Sequence, residues 1–227
     1  MAAAFLLTGH SSGSSGPRVL TSEEANRLAI TRFRNYEARG RAVTITVPGT
    51  AGGLAVIGSV DFRGKRGYGV VHGTGRDTSS DGLIEWTATS VSVHPMANAP
   101  AHAPASPPHS GWYSRPLQSS GSALDTSLTI ALGLGSDRPD NAQLLPQNGA
   151  AWWGRDRVHG RPVDVMTGPS SRDRSGTADR VRYWVGSDGT MYRVRVSVDS
   201  ESQPVLIDFD TQKYLPVKPV PGVTPAR

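Results

Sequence analysis

The chain has 227 residues, with 24 Lys+Arg against 19 Asp+Glu for a formal charge of +5, and no cysteine. An apolar share of 37% together with 26 glycines is enough for a globular core, so wholesale disorder is excluded. Disulfides, thiol nucleophiles and cysteine-zinc sites are excluded with the cysteines, and no window reaches the ~20 apolar residues of a membrane-spanning helix. The basic residues are almost all arginine, with Lys65, Lys213 and Lys218 the only lysines. They are scattered singly, as on solvated strand faces, and form no basic run interleaved with aromatics of the kind a nucleic-acid groove needs.

The first residues, Met1 to Leu7, are apolar, and Thr8-Gly9-His10 and the tether Ser11-Ser12-Gly13-Ser14-Ser15-Gly16 follow. Leu7-Thr8-Gly9 before a Ser/Gly tether has the order of a lipobox, with His10 where the modified cysteine would stand. A thioether needs sulfur, so position 10 cannot carry a diacylglycerol. A leader cut short with its cysteine replaced gives this order, and so does a Ser-Ser-Gly tag linker. The apolar run placed ahead of the tether favours the first. Residues 1–20 are expected to lie outside the fold.

Thr21 and Glu24 form a capping box, and Ala25, Leu28, Ala29, Phe33 and Tyr36 follow at helical spacing up to Gly40, the expected stop. After Gly40 the period switches to two. Val43, Ile45 and Val47 make one strand. Leu54, Val56, Val60 and Phe62 share a face of the next, with Ser59, Asp61 and Arg63 opposite. A turn at residues 63–67 leads to Tyr68, Val70 and Val71, and Asp81-Gly82 leads to Leu83–Trp86 and Val91–Val93. Close strands joined by short turns predict an antiparallel meander. Residues 95–111 carry Pro95, Pro100, Pro104, Pro107 and Pro108, and read as a mobile, PPII-like surface loop in preference to a PxxP partner motif.

Residues 122–135 read as a helix with Leu124, Leu128, Ala131 and Leu132 on one stripe and Ile130 and Leu134 beside it, hence buried on more than one side. Asp137 to Asn141 reads as a helix start before a short turn at Leu144 and Leu145. Strands return at Trp152-Trp153, 162–166, 181–185, 192–198 and 205–209, with 180–186 and 190–198 as a hairpin around Asp188-Gly189. The tail from Leu215, with Pro216, Pro219, Pro221 and Pro225, is expected to be disordered. The single domain therefore spans residues 21–214.

Tests for chemistry are negative. The six histidines, His10, His72, His94, His102, His109 and His159, show no helical metal-ligand spacing. Gly121-Ser122-Ala123 is not a nucleophile elbow. Gly73-Thr74-Gly75 is half of a phosphate loop without its β-α-β context. Asp208 and Asp210 read as solvated carboxylates sharing a strand face. The expectation is a non-enzymatic protein without metal or cofactor.

The order of one N-terminal helix, antiparallel strands, a helical insertion and closing strands resembles the LolA/LppX-like superfamily of bacterial envelope lipoproteins and carriers. The resemblance is carried by Trp152 with Gly160-Arg161-Pro162-Val163-Asp164-Val165, by the hairpin Tyr183 to Val194, and by Val205-Leu206-Ile207-Asp208-Phe209. It covers residues 21–214 in architecture and 150–210 in motif. It implies an α+β fold, a curved antiparallel sheet or incomplete barrel with helices over its concave face. It also implies an extracytoplasmic protein that binds an acyl chain or lipid there, membrane-anchored in its native form. A filled-core interaction or sensor domain, with an envelope protein as partner, is the alternative. The alternation nominates Val60, Phe62, Tyr68, Val194 and Val196 for one wall of the ligand space, and Leu124, Leu128 and Leu132 for the other.

Overall fold

A computed structural model of the chain describes residues 16–49, 52–76, 78–118, 122–169, 181–198 and 203–221. The lipobox-like residues, most of the tether and the last six residues lie outside the described residues.

Helix α1 runs over Ser22–Glu37. Its start is fixed as the sequence indicates, with Glu24 N–H donating to Thr21 Oγ1 at 3.2 Å and Thr21 N–H donating to Glu24 Oε2 at 2.9 Å. Its end differs from expectation. Arg39, at φ 65°, makes the left-handed turn, and Gly40 instead opens the next strand. A Cβ at Gly40 would sit 2.5 Å from the hydroxyl of Tyr214, so this glycine makes room for the chain's C-terminal segment.

Strands β2 (Gly40–Val47), β3 (Leu54–Asp61), β4 (Arg66–Gly73), β5 (Gly82–Thr87), β6 (Ser90–Pro95) and β7 (Tyr113–Pro116) form one antiparallel meander. Helices α2 (Ala123–Gly133) and α3 (Leu144–Gln147) follow, then β8 (Ala151–Val158), β9 (Arg161–Thr167), β10 (Val181–Val185), β11 (Met191–Val196) and β12 (Val205–Phe209). The two runs merge because β12 pairs with β2, Ile207 opposite Ile45. The result is one 12-stranded antiparallel sheet, open at both edges, with its helices on one face.

Three elements depart from the sequence reading. Residues 18–20 belong to the fold. Arg18–Val19 is an edge strand, β1, paired with Trp152 and Ala151, and Leu20 is buried against α1. Strand β7 comes from a polar, proline-flanked stretch that carries no alternation. Helix α2 has 11 residues rather than the expected fourteen, because Gly133 and Gly135 end it. A Cβ at Gly135 would lie 2.6 Å from the Phe62 ring, so the helix stops where the sheet's core comes closest.

The Pro-rich loop and the C-terminal segment also differ from expectation. Both lie on the sheet's outer face, opposite the helices. Met96, Ala99, Ala103 and Trp112 from the loop, and Val217 from the tail, pack on Tyr68, Val70 and Leu83. Apolar side chains spaced among prolines supply enough burial to hold both segments down. On the inner face, the main core joins Val43, Ile45, Val56, Val60, Phe62, Ile84, Trp86, Val194, Ile207 and Phe209 to Leu128, Ala131 and Leu132 of α2. Helix α1 and α3 cover the other half through Leu28, Ala29 and Leu145 against Met166 and Val185.

Candidate functional site

Six of the eight nominated lining residues come together. Val60, Phe62, Leu128, Leu132, Val194 and Val196 belong to the buried inner core, with Leu124 at its rim. Strands project alternate side chains to opposite faces, so Val60 and Val194 lie on the inner face, in the same buried cluster as Leu128. Because these residues bury one another, the middle of the sheet–helix layer is packed core.

Tyr68 is not among them. In β4, Val71 faces inward while Tyr68 and Val70 face outward. The inward positions beside Tyr68 are Gly67 and Gly69, which have no side chain to reveal the phase of the strand. Tyr68 is 6% exposed, and burial pushes its phenol up to about 12. Its hydroxyl has no hydrogen-bond partner.

The inner layer opens at the end of the meander. There Leu54, Val71, Ile84 and Val93 at strand ends, and Leu124 in the first turn of α2, line a cleft of about 230 Å³. Leu54, Val93 and Leu124 also pack against the main core, so the cleft is an extension of that core. Its rim is polar. Asp81 accepts from the Gly73 N–H at 2.8 Å and stands 3.6 Å from His72 Nδ1. Sequence reasoning placed Leu54 on the right face but did not nominate the strand ends. The available signal was that Leu54, Val71 and Ile84 stand near Gly/Ser turns.

The position of α2 over this opening is fixed by an ion pair whose carboxylate is buried. Arg115 on β7 donates from Nη1 and Nη2 to Asp125 at 2.5 and 2.7 Å, and Gln118 N–H donates to the same carboxylate at 2.8 Å. Burial pushes the Asp125 carboxyl up, yet the guanidinium and the amide together hold it below its ordinary value. Ser122 accepts from Asp125 N–H as the helix N-cap.

A second inner cleft, about 340 Å³, lies between α1 and α3 and is lined by Leu28, Thr31, Leu145 and Tyr183. It is spanned by Arg32 and Asp140, 2.5 Å apart. Burial raises the Tyr183 phenol as well.

Asp208 and Asp210 share no site and are not simply solvated. Asp208 pairs with Arg193 at 2.5 Å, and Asp210 with Arg41 at 2.6 Å. Two carboxylates each neutralised by its own arginine do not make an acid–base pair. Among the described residues no group of three or more His, Asp or Glu side chains is placed to hold a metal ion, and no helix is long and apolar enough to cross a membrane.

No protein-family model matches the sequence, and comparison with the curated proteins gives no significant match. Solved structures do resemble the fold. The lipoprotein LppX of Mycobacterium tuberculosis is 13% identical with a TM-score of 0.45, over 86% of this chain and 98% of that one. LprF of Mycobacterium bovis is 13% identical with a TM-score of 0.45, over 89% and 99%. A LolA superfamily protein of Nitrosomonas europaea is 12% identical with a TM-score of 0.31, over 88% and 96%. At these identities and TM-scores the likeness assigns neither a ligand nor a family.

Proposed function

We propose that the chain is a non-enzymatic, extracytoplasmic binder of an apolar, acyl-type ligand, which enters the sheet–helix layer at its open end. The observation that carries this reading is the cleft at Leu124, an apolar space continuous with the main core and rimmed by polar turns. At about 230 Å³ it is smaller than the ~300 Å³ of a drug-sized site, which suits one chain end rather than a whole two-chain lipid. Each buried CH₂ contributes about 0.8 kcal/mol, so about eight of them contribute about 6 kcal/mol, from which the ordering cost of a flexible chain is subtracted.

A second reading, a filled-core interaction domain, is favoured by the complete burial of Val60, Phe62, Leu128 and Val194. Titration with cis-parinaric acid separates the two. The expected result is saturable fluorescence enhancement, weakened at least about tenfold by Leu124→Trp, which fills the mouth, with far-UV spectrum and unfolding cooperativity retained. No enhancement at tens of micromolar protein, or equal binding by Leu124→Trp, decides for the filled core.

A further inference from the structure

The outer face of the sheet is covered by extended chain in place of a helix. Its C-terminal cover reads Tyr-Leu-Pro-Val-Lys-Pro-Val-Pro over residues 214–221 and forms neither helix nor strand. Burial along it repeats every three residues. Tyr214 and Val217 are partly buried and Val220 is buried, while Leu215, Pro216, Lys218 and Pro219 are exposed. Three residues per turn is the period of a polyproline II helix, which makes no internal hydrogen bonds. One edge of such a helix therefore lies on the sheet.

The sheet meets this edge with side chains suited to it. Ser59 Oγ accepts from Leu215 N–H at 3.1 Å, and Glu85 Oε1 accepts from Val220 N–H at 3.2 Å. Ser59 and Glu85 are both buried, and Arg66 pairs with Glu85 and holds its carboxylate in place. Val217 packs among Tyr68, Val70 and Leu83. Trp112 stands beside them, its ring centroid 6.5 Å from that of Tyr68. Aromatic side chains line the usual groove for a proline-rich peptide, and the two acceptors here meet the N–H groups of its non-proline residues.

The occupant does not fill this groove. Between Leu215 and the loop residues His102 and Ala103, a cleft of about 240 Å³ remains, floored by Ile57 and lined by Tyr68. The Tyr68 hydroxyl is buried there with no acceptor. A peptide that seats more fully has carbonyls to offer it. We propose that the outer face is a docking groove for a proline-rich, extended segment of a partner protein, and that residues 214–221 occupy it in this chain as a tethered stand-in. Tethering gives the tail an effective concentration on the order of millimolar, so a partner displaces it only by fitting better.

The test uses a fluorescein-labelled peptide of residues 214–222 and the full-length chain, read by fluorescence anisotropy. The unaltered chain should bind it weakly. The Val217→Ser/Val220→Ser chain, whose own tail is loosened, should bind at least about tenfold tighter. Adding Ser59→Ala to that variant should reverse most of the gain. A peptide of the same composition with its valines moved out of the three-residue spacing should not bind. Absence of binding to every variant at about 1 mM peptide overturns the proposal, as does equal binding of the permuted peptide. Because the double variant could unfold, amide exchange in the unaltered chain provides an independent reading. The Leu215 and Val220 amides should exchange at least about 100-fold faster than those of Val60 and Val70, and equal protection would make the tail a fixed part of the fold. Light scattering identifies the source of the segment. A concentration-dependent dimer abolished by Val217→Ser/Val220→Ser would assign the groove to a second copy of this chain and overturn the assignment to a different protein.

Discussion

Arg115→Ala should lose about 3 kcal/mol of stability at pH 7, the usual range for leaving a buried partner charged and alone. Asp125 is fully buried, while the Arg115 side chain is 40% exposed, so the cost falls on the carboxylate that stays behind. For a domain of this size the loss corresponds to a fall in Tm of roughly 6–12 °C. The sign of the pH dependence distinguishes this cause from lost packing. In the unaltered protein the folded-state pKa of Asp125 is lowered. Its contribution is therefore present above the unfolded value and lost as pH falls through the folded one. Without Arg115 the burial effect is opposed only by the Gln118 amide and Ser122, so the folded pKa rises from its lowered position. The variant's deficit is then full at neutral pH and relieved as acid protonates the buried carboxyl. Urea unfolding at about pH 7 and about pH 4.5 should show the gap between the two proteins narrowing. A gap that stays constant would mean that Arg115 acts through its contacts and not its charge.

Gly67→Ala should cost about as much, although the change adds a single methyl group. A Cβ at position 67 would lie 2.1 Å from Cζ2 of Trp86, the largest fully buried side chain. In a strand, alanine for glycine ordinarily brings a gain of about 0.4–1 kcal/mol by restricting the unfolded chain. Here the indole must be displaced from a core already closed around it by Val60, Val91 and Phe62, and overpacking of this kind costs about 1–3 kcal/mol or more. The indole Nε1 has no partner in the core, so no hydrogen bond is lost when the ring moves and the cost is one of packing. The two sites should couple strongly. Trp86→Leu alone destabilises, but Gly67→Ala should cost almost nothing in the Trp86→Leu background. Additive effects in that double-mutant cycle would show that the ring and the glycine do not compete for the same space.

What could be read from the sequence follows from where side chains alternate. Val43/Ile45/Val47 and Val181/Tyr183/Val185 state their faces outright, and both strands lie where the period puts them. The capping box at Thr21 is local chemistry and is equally legible. Alternation alone puts Tyr68 on the wrong face, because its neighbours Gly67 and Gly69 leave the strand without a readable phase. Strand β1 has two residues, too few to show a period, and exists only because Trp152 and Ala151 present an edge to pair with. The C-terminal segment was misread for a different reason. Its prolines mark it as unable to form helix or sheet, which is correct, but that leaves polyproline II as well as disorder. The three-residue spacing of Tyr214, Val217 and Val220 was visible and distinguishes the two only once a receiving surface is known. The strand ends around Leu124 belong to the same class, since a cleft depends on where α2 begins and not on any motif.

The pairing of β12 with β2 has a consequence for how the chain is made. When residues up to Pro116 have left the ribosome, the meander β2–β7 has all its internal partners, yet the edge of β2 from Val43 to Val47 has none. Its partner, Val205–Phe209, is synthesised about 90 residues later. Throughout that interval the nascent protein presents a β-branched, hydrogen-bond-hungry edge, and until α2 follows at Ala123–Gly133 it also presents an uncovered apolar face. Long-range strand pairing of this kind folds slowly. An unpaired edge of that composition also invites pairing with another nascent copy. Synthesis should therefore be the stage at which this protein depends most on a holding chaperone.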